Sequence, residues 1–235
     1  KDVPAHVLGV TAAKEALRRA AVDPGELGDV LVGQCMWRSD EINIARVISL
    51  RAGIPFTVPA ATIQRQCASG MQALVTGMME LWTEEHEVVL AGGVESMSRV
   101  PYALKDYRFG GRMGSGEVTD MLTEGLTDPI GHYHMGITAE NLAAELGISR
   151  ADQDELAYTS QTRAVAAIDA GRFKDEIVPV EVTIKKGKPP KLCDTDEHPR
   201  PDTSLESLAK LKGVVREGGT VTAGNASGVN DGACA

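Results

Sequence analysis

The amino-acid sequence predicts an α/β protein built on a largely parallel sheet, and three observations carry that reading. Through the first 95 residues, short apolar segments of strand length alternate with segments of helical period. The strand segments are apolar enough to be covered on both faces, as parallel sheets are. Each is separated from the next by a helix-length stretch, the spacing of a right-handed crossover.

The elements follow in order. Residues 6–22 place Val7, Val10, Ala13, Leu17, Ala20 and Ala21 at helical spacing. Asp29–Gly33 is a short apolar strand running into a glycine, and residues 41–52 are helical again through Ile44, Val47, Ile48 and Leu50. A strand at 60–64, a helix at 68–82 and a buried-type strand at 87–91, ending in Gly92-Gly93, complete the alternation. In such sheets chemistry collects where strands end and helices begin. From 96 to about 136 the pattern dissolves into Gly, Met and polar residues. A helix at 137–146 follows, then a second one that Ser149 caps and that runs to Ala170, with Asp152, Asp154 and Glu155 in its first turn. Residues 178–184 alternate as a strand, 185–201 form a charged, Pro-rich excursion, and 204–211 form a short helix. The closing Gly232-Ala233-Cys234-Ala235 consists of small residues of the kind packed inside a helix, with no stop signal before them. The opening Lys1-Asp2-Val3-Pro4 carries neither an initiator Met nor a leader. Both ends read as internal to a longer polypeptide.

Composition excludes several classes. At 235 residues the chain has room for one large or two modest domains, and 43% hydrophobic with 24% charged residues is too apolar for disorder. No apolar run approaches the ~20 residues of a membrane-spanning helix. A net charge of −9 and nine aromatic residues argue against nucleic acid, which calls for basic stripes and stacking platforms. Cys35, Cys67, Cys193 and Cys234 show no CxxC spacing and are too sparse for a disulfide scaffold or a zinc ribbon. They suggest a reducing, cytoplasmic setting and no metal. Residues 172–217 hold ten basic and nine acidic groups, against 14 and 24 in the remainder. That segment is either a solvated loop face or the host of an anionic ligand.

The most informative stretch is 63–74, Ile-Gln-Arg-Gln-Cys-Ala-Ser-Gly-Met-Gln-Ala-Leu. A strand ends, Cys67 stands at the turn, and a helix of small residues begins. A thiol at a helix N-terminus meets unpaired N–H groups and the positive end of the macrodipole. Both favour thiolate and lower the pKa from ~8.5; one unit is worth ~1.4 kcal/mol and nearly tenfold in ionised fraction. The same amides suit an oxyanion on an attached acyl group. The alternative is an inert Cys packed as a small hydrophobe.

The Cys67 segment, Gly92-Gly93-Val94-Glu95-Ser96-Met97-Ser98, His132-Tyr133-His134-Met135-Gly136, Thr138-Ala139-Glu140-Asn141 and residues 224–232, Gly-Asn-Ala-Ser-Gly-Val-Asn-Asp-Gly, together resemble the thiolase family, with acetyl-CoA C-acetyltransferases as the nearest members. Residues 171–179 reinforce the likeness, which runs along the whole chain. The resemblance implies a layered α/β/α N-terminal domain lacking its first strand (1–96). It also implies an inserted α+β loop domain covering coenzyme A (97–229) and a return to the first domain (230–235), the second α/β domain being absent. It implies an acyltransferase that condenses two acetyl-CoA to acetoacetyl-CoA, or runs the reverse thiolytic cleavage, through an acetyl-Cys67 thioester. Such an intermediate keeps the acyl group activated and divides the transfer into two easier steps. His134 and Met135 match the pair beside the pantetheine arm. Leu126, Arg200, Ser207 and Val215 fall where CoA is lined, and Ala223, Ala226, Ser227 and Gly228 match a loop of small residues beside the arm. Val215 is smaller than the aromatic sometimes found there. CoA is substrate, with no tightly bound cofactor, and a homodimer or homotetramer is implied.

Residue chemistry alone would pair Cys67 with His134 as nucleophile and base. The family pattern instead puts the activating His and a second Cys in GHPxG- and CxGGG-type motifs, which this chain does not contain, nor the Asn motif of the oxyanion hole. His6 and His86 read as surface helix residues, His132 as a loop residue and His198 as a tip residue. Cys35, Cys193 and Cys234 read as structural, Glu95 and Asn230 as fold-supporting in tight turns, and Met97, Met113 and Met121 as core filler. The alternatives are a longer-chain 3-ketoacyl-CoA thiolase, a related condensing enzyme such as a ketoacyl synthase, or a catalytically incomplete CoA-binding fragment.

Overall fold

Val30, Leu31 and Val32 are almost sealed from solvent, and the strand that carries them is the centre of the sheet. The computed structural model describes residues 1–183, 187 and 189–235. In chain order its elements are α1 (Ala5–Ala20), β1 (Asp29–Gly33), α2 (Ile44–Ala52), β2 (Ala60–Ile63), α3 (Ser69–Trp82), β3 (Val89–Ser96), β4 (Tyr102–Ala103), β5 (Thr119–Asp120), α4 (Met121–Gly125), α5 (Met135–Leu146), α6 (Arg150–Asp169), β6 (Val180–Val182), β7 (Lys191–Cys193), α7 (Leu205–Ala209) and β8 (Asp231–Cys234). They divide into a first unit, Lys1–Pro101 with Val178–Asp194 and Asn230–Ala235, and a second, Tyr102–Ile177 with Thr195–Val229. The second unit thus excludes 178–194, which the sequence reading assigns to its loop domain.

In the first unit the strand order is β2-β1-β3-β8. β1 pairs in parallel with β2 and β3, and Gly33 is in register with both Ile63 and Gly93. The carboxyl ends of β1 and β2 therefore lie side by side, level with Gly93 of β3. Val30, Val32, Leu90 and Val94 form one core with Ala13 and Leu17 of α1 and Ile44 and Ile48 of α2. Leu31 points the other way, toward Gly77 of α3. Period-2 alternation thus gives both faces a helix layer, and each fully buried aliphatic side chain contributes about 1.5–3 kcal/mol.

Several element boundaries differ from the sequence reading. Strand β3 does not stop at Ala91 but continues through Gly92-Gly93 to Ser96, because β8 pairs with it antiparallel, Gly93 opposite Cys234 and Ser96 opposite Asp231. The small residues 232–234 are therefore strand, not helix, and a Cβ on Gly92 would lie 2.2 Å from the Cys234 carbonyl oxygen. Helix α2 starts at Ile44, where Asn43 accepts from the Arg46 N–H. Glu41 is instead buried against His6, whose Nδ1 lies 2.6 Å from its carboxylate. His6 is thus a half-buried partner, not a surface residue. His86 lies beyond α3 and packs on Gly28. Strand β7, paired antiparallel with β6, lies within the expected excursion. The expected strand end at Ile184 falls outside the described residues.

In the second unit, α5 begins two residues earlier than its apolar period suggests, because His134 acts as N-cap and its Nδ1 accepts from the Gly136 N–H at 3.1 Å. Ser149 and Asp152 form a capping box at the head of α6, as its sequence indicates. Met113 is fully exposed rather than core filler. Among the described residues no helix is long and apolar enough to cross a membrane.

Candidate active site

Cys67 stands in the turn between β2 and α3. The amides of Ala68 and Ser69 donate to the carbonyls of Arg65 and Gln66 at 3.1 and 3.0 Å. The Ser69 hydroxyl donates to the Gln66 carbonyl at 2.5 Å and accepts from the Arg65 N–H at 2.9 Å. Gln66 takes φ of 49°, a left-handed conformation that disfavours side chains with a Cβ. The backbone therefore folds back on itself with its thiol outward: Ser69 is buried and Cys67 is exposed. Helix α3 begins at Ser69, so Cys67 precedes it by two residues, and Ala68 provides no side-chain cap.

One contact fixes this turn against the sheet, and another fixes the neighbouring loop. A Cβ on Gly33 would come within 2.3 Å of the backbone of Ser69 and Gly70, so the end of β1 abuts the start of α3 directly. The Glu95 carboxylate, at the end of β3, accepts from the amides of Cys35 and Met36 at 2.9 and 3.0 Å. Burial raises its pKa, partly opposed by those N–H groups. The fold-supporting role expected of Glu95 is what these bonds describe, although it sits on a strand and not in a turn. The Cys35 S–H donates to Gln66 Oε1 at 3.2 Å.

The residues expected to bind CoA all lie in the second unit. One group meets around the head of α5. The Met135 N–H donates to the Leu126 carbonyl at 2.9 Å, and Val215 packs so closely on Gly136 that a Cβ there would lie 2.6 Å from it. Leu126, His134, Met135 and Val215 are thus brought together. Because His134 Nδ1 accepts a hydrogen bond, its proton resides on Nε2. Another group meets at a cavity of about 330 Å³ lined by Ala226 and Ser227, by Gln153, Leu156, Ser160 and Gln161 of α6, and by His198 and Pro199. His198, expected as a tip residue, is part of that wall. Arg200 follows directly, and its N–H donates to Gln161 Oε1 at 2.8 Å. The Ser207 hydroxyl is occupied at the head of α7, donating to the Ser204 carbonyl. Ala223, Ser207 and Gly228 do not line this cavity.

Two buried carboxylates hold the loop that carries Ala223, Ala226, Ser227 and Gly228. Glu140 of α5 accepts from the Val221 N–H at 2.8 Å and the Thr220 hydroxyl at 3.1 Å, and Arg216 lies 3.4 Å away. Burial pushes the Glu140 pKa up, but these donors outweigh it and hold it below the usual carboxylate range. Asp154 of α6 accepts from Asn225 Nδ2 at 2.9 Å and from Arg150 at 2.8 Å. The Asn225 amide oxygen accepts from the Thr222 N–H at 2.7 Å. Sequence reasoning reads Asp154 only as a charge in a first helical turn and assigns Glu140 no role. The available signals are a Glu among small apolar residues in Thr138-Ala139-Glu140-Asn141 and an Arg one turn before Asp154.

Comparison with known proteins places this geometry. The model of the thiolase N-terminal domain family matches residues 1–235. An acetyl-CoA acetyltransferase of Pseudomonas aeruginosa is 45% identical over 234 residues, 99% of this chain and 59% of that protein. The crystal structure of the Bacillus anthracis acetyl-CoA acetyltransferase superposes with a TM-score of 0.94 at 48% identity, covering 98% of this chain and 58% of that one. Human mitochondrial 3-ketoacyl-CoA thiolase, solved in complex with CoA, superposes at 0.91 with 46% identity, covering 99% and 58%. The chain thus spans under three-fifths of the length of these relatives. A cysteine at the junction of a parallel strand and a helix, on a sheet shared with these structures and matched from end to end by one family model, makes this chain a member of the thiolase family.

Proposed function

We propose that this chain supplies the acyl-carrying cysteine and the CoA-covering segment of an acetyl-CoA acetyltransferase. The observation that supports this best is the exposed Cys67 thiol, held outward by a turn whose polar groups bond to one another. The Cys67 thiolate attacks the carbonyl of acetyl-CoA, the CoA thiolate leaves, and an acetyl-thioester remains on the protein. A second acetyl-CoA, deprotonated at its methyl, attacks that thioester, giving acetoacetyl-CoA and releasing Cys67. The same steps run backward cleave a 3-ketoacyl-CoA. The groups around the head of α5 and around the α6 cavity hold the pantetheine arm and the nucleotide, which takes residues 1–96 as the nucleophile-bearing domain, 97–229 as the covering domain and 230–235 as the return.

The relatives include both an acetyl-CoA acetyltransferase and a 3-ketoacyl-CoA thiolase, so longer-chain thiolysis is the second reading. A third, CoA binding without turnover by these 235 residues alone, follows from the absence of the GHPxG- and CxGGG-type motifs. The complete polypeptide is expected to act as a homodimer or homotetramer.

Acid-quenched incubation of the complete polypeptide with radiolabelled acetyl-CoA tests the assignment. One acetyl group per chain should appear on the peptide containing Cys67, and Cys67→Ser should abolish it. Persistent labelling of the Cys67→Ser variant would show that another residue is the nucleophile. Rates with acetoacetyl-CoA against longer 3-ketoacyl-CoA separate the first two readings.

A further inference from the structure

Strands β1 and β2 run parallel with Gly33 opposite Ile63, and the Gln34 N–H continues the ladder to the Ile63 carbonyl at 3.1 Å. The loops that follow them therefore leave the sheet side by side, one carrying Cys35 and the other Cys67. The Cys35 backbone is fixed by Glu95, and its S–H reaches the side chain of Gln66, the residue immediately before Cys67. The two thiols differ in setting: Cys67 is exposed, whereas Cys35 is half-buried. Burial, then Glu95, then Cys67 itself keep Cys35 protonated beyond the ordinary range of a thiol, so oxidant meets Cys67 first.

We propose that Cys35 and Cys67 form an oxidisable pair, in which a hydroperoxide attacks Cys67 and Cys35 resolves the product to a disulfide. The Cys67 thiolate attacks one peroxide oxygen, the O–O bond breaks, and sulfenic acid forms on Cys67 with release of water after protonation. The Cys35 sulfur then attacks the sulfenic sulfur, displacing its hydroxyl as a second water and losing its own proton. In sum, two thiols and one hydrogen peroxide give one disulfide and two waters; the two electrons pass from sulfur to peroxide oxygen. The new bond replaces the S–H contact to Gln66. It protects Cys67 from sulfinic acid, which thiols do not reverse.

The complete polypeptide treated with hydrogen peroxide, digested without reductant and mapped by mass spectrometry tests this directly. A peptide linking Cys35 to Cys67 is expected. Alkylation of Cys67 by iodoacetamide should fall at least tenfold after peroxide and return on adding dithiothreitol. In Cys35→Ser, and in Cys35→Ala should the serine variant misfold, Cys67 should alkylate normally beforehand, form no link, and accumulate sulfinic acid that dithiothreitol leaves in place. A Cys67 bridged to another cysteine, or dithiothreitol recovery equal in wild type and both variants, overturns the proposal. These readouts need no acyl transfer, so they fail or succeed independently of acetyl labelling.

Discussion

The Cys67 turn and the 220–228 loop are held by opposite means. In the turn, the hydrogen bonds that close it join residues no more than four apart: Ser69 to Arg65 and Gln66, Ala68 to Arg65. In the loop, the anchors are Glu140 and Asp154, which are 81 and 71 residues from the groups they bind. A reactive side chain needs a fixed outward direction, which a short closed turn gives. On the proposed function, a loop that lies along a flexible ligand is held from behind by those distant carboxylates. Breaking one should leave the other intact, and that independence can be measured.

The largest effect is expected at Gly33. A Cβ there meets backbone atoms of Ser69 and Gly70 at 2.3 Å, and backbone cannot rotate aside as a side chain can. Gly33→Val should push α3 off the sheet and lower stability by about 3 kcal/mol, read as a lower urea midpoint with altered iodoacetamide reactivity at Cys67. Unchanged reactivity would mean that the turn holds its shape without the sheet behind it.

Next comes Glu140. Its replacement by Gln removes the charge from two hydrogen bonds and an ion pair in a buried setting, at a cost of about 1.5–3 kcal/mol. CoA binding by the complete polypeptide should weaken about tenfold in calorimetry, while alkylation of Cys67 stays at the wild-type rate. The carboxylate's pKa is lowered in the folded state, so its contribution is complete above the ordinary Glu value of about 4.3. It is lost as pH falls through the depressed folded value. Wild type should therefore lose more stability than Glu140→Gln as the pH falls below the ordinary Glu range, and equal acid slopes would remove Glu140 from its proposed place.

The same contrast explains which parts of the molecule could be read from sequence. The α/β alternation was legible because each strand and helix announces itself in local period, and Cys67 because a strand-to-helix junction is also local. Strand β8 was not, since Gly232-Ala233-Cys234 has no strand-forming bulk and pairs only because β3 offers an open edge. The partners of Cys35 and His198 were not legible for a related reason: Gln66 and the α6 cavity wall come from segments 31 or more residues away. Glu140 lies within the Thr138-Ala139-Glu140-Asn141 motif, and nothing in that motif says which backbone it bonds.

The smallest effect belongs to Gln66, where both kinds of restraint meet. Its positive φ disfavours any residue with a Cβ by about 1–3 kcal/mol, and glycine would relieve that. Glycine also gains conformational freedom in the unfolded chain, which offsets about 0.5–1 kcal/mol. The Gln66→Gly variant should thus melt close to wild type or slightly above it. What should change is Cys35, which loses the amide oxygen that accepts its S–H. Faster alkylation of Cys35 with an unshifted melting temperature would show that the Gln66 amide restrains the Cys35 thiol. Wild-type alkylation at Cys35 would assign its protection to the buried Glu95 side alone.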